Sequence, residues 1–424
     1  KVDKLIGVFG TKENLYNEPD GFFLPPPKPR LHELYYIKAA KKADIKVIPS
    51  RLSVITKRIN NDRGVCFYCN GCARSCNVYA DFSSGSCLIF PAQNAGGQID
   101  LYVNSMVRTV ETNPEGKATG VSYINKDDGN EYKLNGKVVV LAASACSSAR
   151  ILLNSKSKQH PNGLGNSSDL VGKYLHDSTG GDMMAFLPQL TNRKIYNEDG
   201  VGGMHVYSPW WLDNKELDFP RGYHIEVWGG MGAPTYGTGF NVNHFNKFFG
   251  LKAGGYGDVL RSDMKKYYGS TIGFSGRGES VAMKSNYCEI DPNKVDKYGV
   301  PVLRFNYKWT DYEIKQAKHM QDTFEEIIHN MGGQPLWNKP GIESNYGLTK
   351  PGEIIHEVGT TRMGKNPKDS VVNQFERMHD VENVFVVDAG PFVSQADKNP
   401  TWTIMALAWR SSDHIVSEFK KQNF

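Results

Sequence analysis

The stretch from Ile354 to His414 constrains this chain more than any other. An apolar run, Val384-Phe-Val-Val-Asp388, leads into Ala389-Gly390, and Asn399-Pro400-Thr401 then opens a small-residue helical pattern, Thr403-Ile-Met-Ala-Leu-Ala-Trp-Arg410. A strand ending in Asp-Ala-Gly and followed by a helix reads as a βα unit. The unpaired N–H groups and the dipole at such a helix start suit electron-rich or anionic ligand atoms. Pro400 fits the first helical turn, where its missing N–H costs nothing. Ahead of the strand, His356-Glu-Val-Gly-Thr-Thr-Arg-Met-Gly364 places a histidine on a Gly/Thr loop.

A second unit of the same kind lies upstream. Lys137-Val-Val-Val-Leu141 is a continuous apolar run, the pattern of a strand buried on both faces. Ala142-Ala-Ser-Ala145 follows, then a helix over Ser147 to Asn154. Strand, small-residue turn and helix form the βα pattern of a nucleotide-binding layer. Helical spacing also marks Leu31–Lys42 and Tyr312–Met331. Strands are expected over Ile45–Ile48, Leu52–Thr56, Leu101–Val110, Gly120–Ile124, Tyr223–Trp228 and Val302–Tyr307, with a turn at Asn113–Lys117. Residues 1–30, with Pro25-Pro-Pro27 and Pro29, read as an irregular surface segment.

From about Asp177 to Ser344 aromatics and glycines dominate: Pro209-Trp-Trp211, Tyr223, Trp228, Tyr236, Phe240, Phe245 and Phe248-Phe249. These rings serve either ordinary packing or stacking on sugar rings. The expected fold is mixed α/β (α+β). Its blocks are 1–60 (linker and start of the mixed region), 61–90 (a cysteine loop), 91–176 (part of a nucleotide-binding domain), 177–345 (a β-rich substrate domain) and 346–424 (the C-terminal catalytic part).

At 424 residues the chain can bury a large core and fill two or three domains. No run of 18 apolar residues exists, which excludes a transmembrane helix by pattern. A net charge of +5, spread along the chain, gives no nucleic-acid footprint. Cysteine usage is uneven. Cys66-x2-Cys69-x2-Cys72-x3-Cys76 lies on a glycine-containing loop, Cys87 is close by, and Cys146 and Cys288 stand alone. A disulfide framework spaces its cysteines over a small chain, whereas this cluster reads as metal ligation. Four thiolates at such spacings can converge on an iron–sulfur cluster. Zinc competes for the same ligands, and packed free thiols are the third reading.

The C-terminal residues His356, Gly359-Thr360, Arg362-Met363-Gly364, Ser370-Val371-Val372, Arg377, Asn383, Asp388-Ala389, Asn399-Pro400-Thr401 and Ala406-Leu407-Ala408, in this order, resemble the signature of the glucose-methanol-choline (GMC) oxidoreductases, a flavoprotein family. The resemblance implies FAD, held by a GMC-type binding domain into which the substrate domain is inserted. It places Val107, Ala142, Ala143 and Ser144 near the adenosine part. Asp388 and Ala389 fall by the ribityl–pyrophosphate part, and Pro400 and Thr401 by the flavin N1/C2=O end. Alcohol oxidation on a flavin needs a base for the hydroxyl proton and a hydride acceptor. The resemblance gives His356 the role of base and Asn399 that of hydroxyl-binding amide. An amide is no base at neutral pH, so His356 is the sole proton acceptor.

The Gly-x-Gly-x-x-Gly turn that such proteins use for the pyrophosphate is not found after a strand here. Gly229-Gly230-Met231-Gly232 and Gly254-Gly255-Tyr256-Gly257 read as loops. The FAD-binding domain is therefore expected to be incomplete at its N-terminus. Cys66, Cys72 and Cys76 also match the Cys-x5-Cys-x3-Cys of the family's sugar dehydrogenase subunits. That match implies a [3Fe-4S] cluster, or [4Fe-4S] if Cys69 is a fourth ligand. The reading is an FAD-dependent dehydrogenase of a sugar, glycoside or polyol hydroxyl, passing electrons through the cluster to a small subunit, a cytochrome or a quinone. Its expected location is the bacterial periplasm or a membrane surface, with the cytoplasm as alternative. The competing readings are an oxidase of long-chain or sterol-like alcohols without a cluster, and a non-catalytic subunit without its FAD segment.

Overall fold

The computed structural model describes residues 1–15, 18–69, 71–72, 75–194, 203–209, 216–231 and 257–424. Trp210, Trp211, Gly232, Tyr236, Phe240, Phe245, Phe248, Phe249, Gly254, Gly255 and Tyr256 lie outside the described residues. The chain forms two compact units, each assembled from three segments: 1–99, 179–278 and 311–349 in the first, and 100–178, 279–310 and 350–424 in the second.

The first unit contains α1 (Val2–Ile6), α2 (Leu31–Lys42), β1 (Ile48–Pro49), α3 (Phe90–Asn94), β6 (Thr179–Phe186), β7 (Val206–Tyr207), β8 (Tyr223–Gly229), α5 (Asp258–Tyr267), β9 (Thr271–Gly278), α6 (Asp311–Met331) and β12 (Gln334–Pro335). An antiparallel sheet of order β12-β6-β9-β8 forms its centre. Alternation along the strands turns Met183, Ala185, Tyr223, Ile225, Val227, Ile272 and Phe274 into the core. They meet the apolar stripe of α6, where Met320, Phe324, Ile327, Ile328 and Met331 recur at helical spacing. A Cβ at Gly278 would come within 2.1 Å of Gln316 Oε1, so a side chain there would displace the Gln316 amide of α6.

Three expectations fail in this unit, the first being the strand over Ile45–Ile48, of which only Ile48 lies in a strand. Residues 1–30 are no surface segment, because Phe9 and Leu24 bury with Ile55 and Ala80 in a core of their own. Leu52–Thr56 is not a strand: Leu52 and Val54 make isolated bridges to Phe9 and Asp81. The apolar residues there serve packing rather than a ladder.

The second unit contains β2 (Ser105–Thr112), β3 (Ala118–Asn125), β4 (Glu131–Asn135), β5 (Val139–Leu141), α4 (Ala145–Asn154), β10 (Tyr287–Val295), β11 (Pro301–Asn306), β13 (Val384–Val386) and α7 (Thr401–Lys420). β2-β3-β4 is a meander, β10-β11 a hairpin, and β5 pairs in parallel with β13. The β2–β3 turn is held by Lys117 N–H donating to Asn113 Oδ1 at 2.8 Å. Asn383 ties the meander to the parallel pair. Its Oδ1 accepts from Ala118 N–H at 3.0 Å, and its Nδ2 donates to the carbonyls of Ala118 and Lys137 at 2.7 and 2.8 Å. The run expected to be buried on both faces buries Val139 and Leu141, whereas Val140 is 46% exposed. The cleft described below lies along that strand and accounts for the difference. Among the described residues no helix is long and apolar enough to cross a membrane.

Candidate active site

The second unit brings its two βα turns together. The parallel register pairs Val384 with Val139, Phe385 with Val140 and Val386 with Leu141. Val387 N–H then donates to Leu141 O at 2.8 Å, so the two strands end side by side. Ligands of open parallel sheets bind beyond the C-terminal ends of the strands. Ala142–Ser144 and Asp388–Gly390 therefore share one edge, although the chain separates them widely.

Asp388 fastens these turns. Its Oδ2 accepts from Ser148 Oγ at 2.5 Å and its Oδ1 from Gly390 N–H at 2.8 Å. Ala143 N–H donates to Ser148 Oγ at 3.2 Å. Burial raises the Asp388 carboxyl above its ordinary range, and the bonds from Ser148, Gly390 and Ala143 oppose that rise.

The His356 loop is held from two sides. Val358 exchanges main-chain hydrogen bonds with His176, at 2.8 and 3.0 Å. Gly359 N–H donates to Ala389 O at 3.1 Å, and Thr361 N–H to Gly390 O at 3.0 Å. Thr360 Oγ1 donates to Ala145 O at 2.7 Å, at the start of α4. Gly359 has φ +102, and a Cβ there would lie 2.1 Å from Tyr174 O, so only glycine lets the loop cross the 174–176 segment.

Three residues that sequence reasoning passed over fix His356 itself. Asp177 Oδ1 accepts from the main-chain N–H of His356 at 2.9 Å and of Ser178 at 2.8 Å. Ser178 Oγ lies 3.3 Å from His356 Nδ1, and Gln395 Nε2 donates to that same Oγ at 2.9 Å. Asp177, Ser178 and Gln395 are all buried. Burial pushes the Asp177 carboxyl up to about 6; the His356 N–H opposes this and the Glu357 charge adds to it. No spacing or motif marks these residues, because they lie far from His356 in sequence or in unremarkable company.

The other expected residues fall as follows. Val107, Ala142 and Ala143 line a cleft of about 670 Å³ that runs beside β5 and the start of α4, together with Leu141 and Ser147. Ser144 is the exposed residue ahead of α4, with φ +79. Ala389 is buried, Asn399 exposed, Pro400 the residue ahead of α7 and Thr401 its first. Neither α4 nor α7 has a side-chain cap on its N-terminus. Small exposed side chains at 142–144, a cleft within the size range of nucleotide sites and two uncapped helix starts fit the flavin nucleotide that the resemblance implies. The adenosine part would rest on Val107 and Ala142–Ser144, and helix N–H groups would meet its anionic and electron-rich atoms.

The cysteine loop belongs to the first unit. Cys66 and Cys76 are half-buried and pack against the Phe9–Ile55 core. Their sulfurs accept from the loop's own main chain, Tyr68 N–H at 3.4 Å and Ala80 N–H at 3.3 Å. Cys72 is half-buried and Cys69 exposed; none of the four is in a disulfide. Among the described residues no group of three or more His, Cys, Asp or Glu side chains is placed to hold a metal. Local N–H groups and apolar packing hold two of the four sulfurs. Arg63 is buried against the same loop and donates to the carbonyls of Leu5, Ile6, Tyr79, Ala80 and Asp81.

Two profiles described as GMC oxidoreductase match residues 34–179 and 284–408. The chain is 30% identical over 322 residues to 2-methyl-1,2-propanediol dehydrogenase of Mycolicibacterium austroafricanum, covering 76% of this chain and 55% of that protein. It is 25% identical over 355 residues to the fructose dehydrogenase large subunit of Gluconobacter japonicus, covering 83% and 60%. The chain thus spans little more than half the length of these relatives. Formate oxidase of Aspergillus oryzae superposes with a TM-score of 0.65 at 12% identity, covering 99% of this chain and 78% of the other, and shares the fold. The paired βα turns, the His356 loop crossing between them and the matches along both halves of the sequence make the chain a member of the GMC oxidoreductase family.

Proposed function

We propose that the protein containing this chain is an FAD-dependent dehydrogenase that oxidises a hydroxyl of a sugar, glycoside or polyol, with His356 as the base. The observation that carries the reading is the clamp on the His356 loop. Its main chain is bonded to the 174–177 segment on one side and to Ala389-Gly390 on the other, at the edge where the two βα turns meet. A base must be held within reach of the proton it takes, and this loop is fixed from both directions. The bound flavin supplies the hydride acceptor. His356 takes the hydroxyl proton, and Asn399, exposed ahead of α7, donates its amide N–H to the substrate oxygen.

Relatives named for a 1,2-diol and for fructose support the substrate class. The test is anaerobic bleaching of the flavin-loaded full-length protein with fructose, gluconate and 1,2-diols, alongside His356→Ala. We expect bleaching by at least one polyol, and a loss of about 10²- to 10⁴-fold in His356→Ala with flavin retained. An unchanged rate in that variant overturns the base assignment. Peroxide formation faster than dye reduction turns the reading towards an oxidase.

The electron route is proposed from cysteine spacing alone. Cys66, Cys72 and Cys76, with Cys69, would hold an iron–sulfur cluster that hands electrons to a small subunit or cytochrome. Iron and labile sulfide per flavin in anaerobically purified protein decide it, and values near zero retire the cluster.

A further inference from the structure

The geometry points to Ser178, anchored by Gln395, as the positioning residue that sets the tautomer and orientation of the His356 ring. This inference rests on His356 being the base. The two nitrogens of a neutral imidazole have opposite roles, and the bond made by one decides what the other can do. If Nδ1 carries the proton, Nε2 accepts one; if Nδ1 accepts, Nε2 carries the proton and the ring cannot act as a base there.

His356 Nδ1 lies 3.3 Å from Ser178 Oγ. That hydroxyl is fully buried, and Gln395, 1% exposed, donates to it at 2.9 Å. A hydroxyl oxygen has two lone pairs. Gln395 takes one, which fixes the hydroxyl in place and leaves the other for the Nδ1–H of His356, the tautomer that a base acting through Nε2 requires. Asp177 completes the support at the main chain, where its Oδ1 holds the N–H groups of both His356 and Ser178. Backbone and ring of the base are thereby anchored through the same dipeptide, Asp177-Ser178, and through a glutamine from the segment that leads into α7. Neither Ser178 nor Gln395 needs to touch substrate or flavin for this role.

The test uses the flavin-loaded full-length protein and four variants: S178A, S178T, Q395L and H356A. S178A is expected to lower kcat by about 10- to 100-fold, the usual cost of losing the group that orients a functional histidine, with KM within about twofold. S178T keeps the hydroxyl and is expected to restore most of kcat. Q395L should move kcat in the same direction as S178A. In protein labelled with ¹⁵N-histidine, the His356 signal, identified by its loss in H356A, should report a protonated Nδ1 in wild type and S178T, and a mixture of tautomers in S178A. Wild-type kcat in S178A, or a protonated Nε2 in the wild-type ring, overturns the proposal. If H356A itself keeps full turnover, the base assignment has failed. If H356A is inactive while S178A is unimpaired, only the positioning role has failed.

Discussion

Glu376 gives the sharpest test of the second unit's energetics. Its side chain is fully buried, its Oε2 accepts from Ser411 Oγ on α7 at 2.6 Å, and its Oε1 has no hydrogen-bond partner. Its carbonyl accepts from Val386 N–H at 2.9 Å, so this residue links β13 to the helix that follows Asn399. Burial lifts the carboxyl from 4.5 to about 7; the Ser411 bond and Arg410 oppose the rise, and the Asp388 charge adds to it.

Below pH 4.5 both folded and unfolded chains hold the proton. Between 4.5 and 7 the unfolded chain releases it and the folded chain does not, so stability falls as pH rises. Above 7 the full cost is present, about 3 kcal/mol for a shift of this size. Glu376→Gln keeps the shape and the acceptor for Ser411 but cannot ionise. Relative to wild type it should therefore gain about 2–3 kcal/mol between pH 5 and pH 8. Urea unfolding of both proteins at the two pH values measures this. Asp177 and Asp388, also raised, leave a residual slope of the same sign in both proteins. A difference between variant and wild type that is equal at pH 5 and pH 8 refutes the reasoning.

Gly359→Ala must relieve a 2.1 Å contact at φ +102. It should cost about 3 kcal/mol or more and displace His356, seen as a lower Tm together with lost flavin bleaching by substrate. Asn383→Ala removes three bonds and leaves main-chain groups of Ala118 and Lys137 unpaired. The expected loss is about 3 kcal/mol in chemical denaturation. Ser148→Ala removes the 2.5 Å donor to Asp388. It should lower stability by about 1–3 kcal/mol at neutral pH, with a smaller loss as pH falls, because burial raises the Asp388 carboxyl and favours its protonated form.

Much of the local structure was legible because local rules decide it. The spacing of Leu31–Lys42 gave a helix with those bounds, and the turn at Asn113–Lys117 announced itself through its Asn and Gly. The apolar run at 384–388 and the one at 137–141 both became strands. Residues 1–30 misled because prolines and turn residues dominate their composition, while a few positions such as Phe9 and Leu24 do the packing.

The two βα units, the histidine loop and the order of residues that marks the family could be read from the chain alone, since these depend on neighbours along it. What they do together depends on how distant segments meet in the fold. The parallel register of β5 and β13 brought Ala142–Ser144 beside Asp388–Gly390. The crossing at Gly359 then set the His356 loop between them, and placed Asp177, Ser178 and Gln395 around the histidine. Those three carry no signal in the sequence because a buried hydrogen bond is specified by where two distant backbones meet, and no local pattern encodes that meeting.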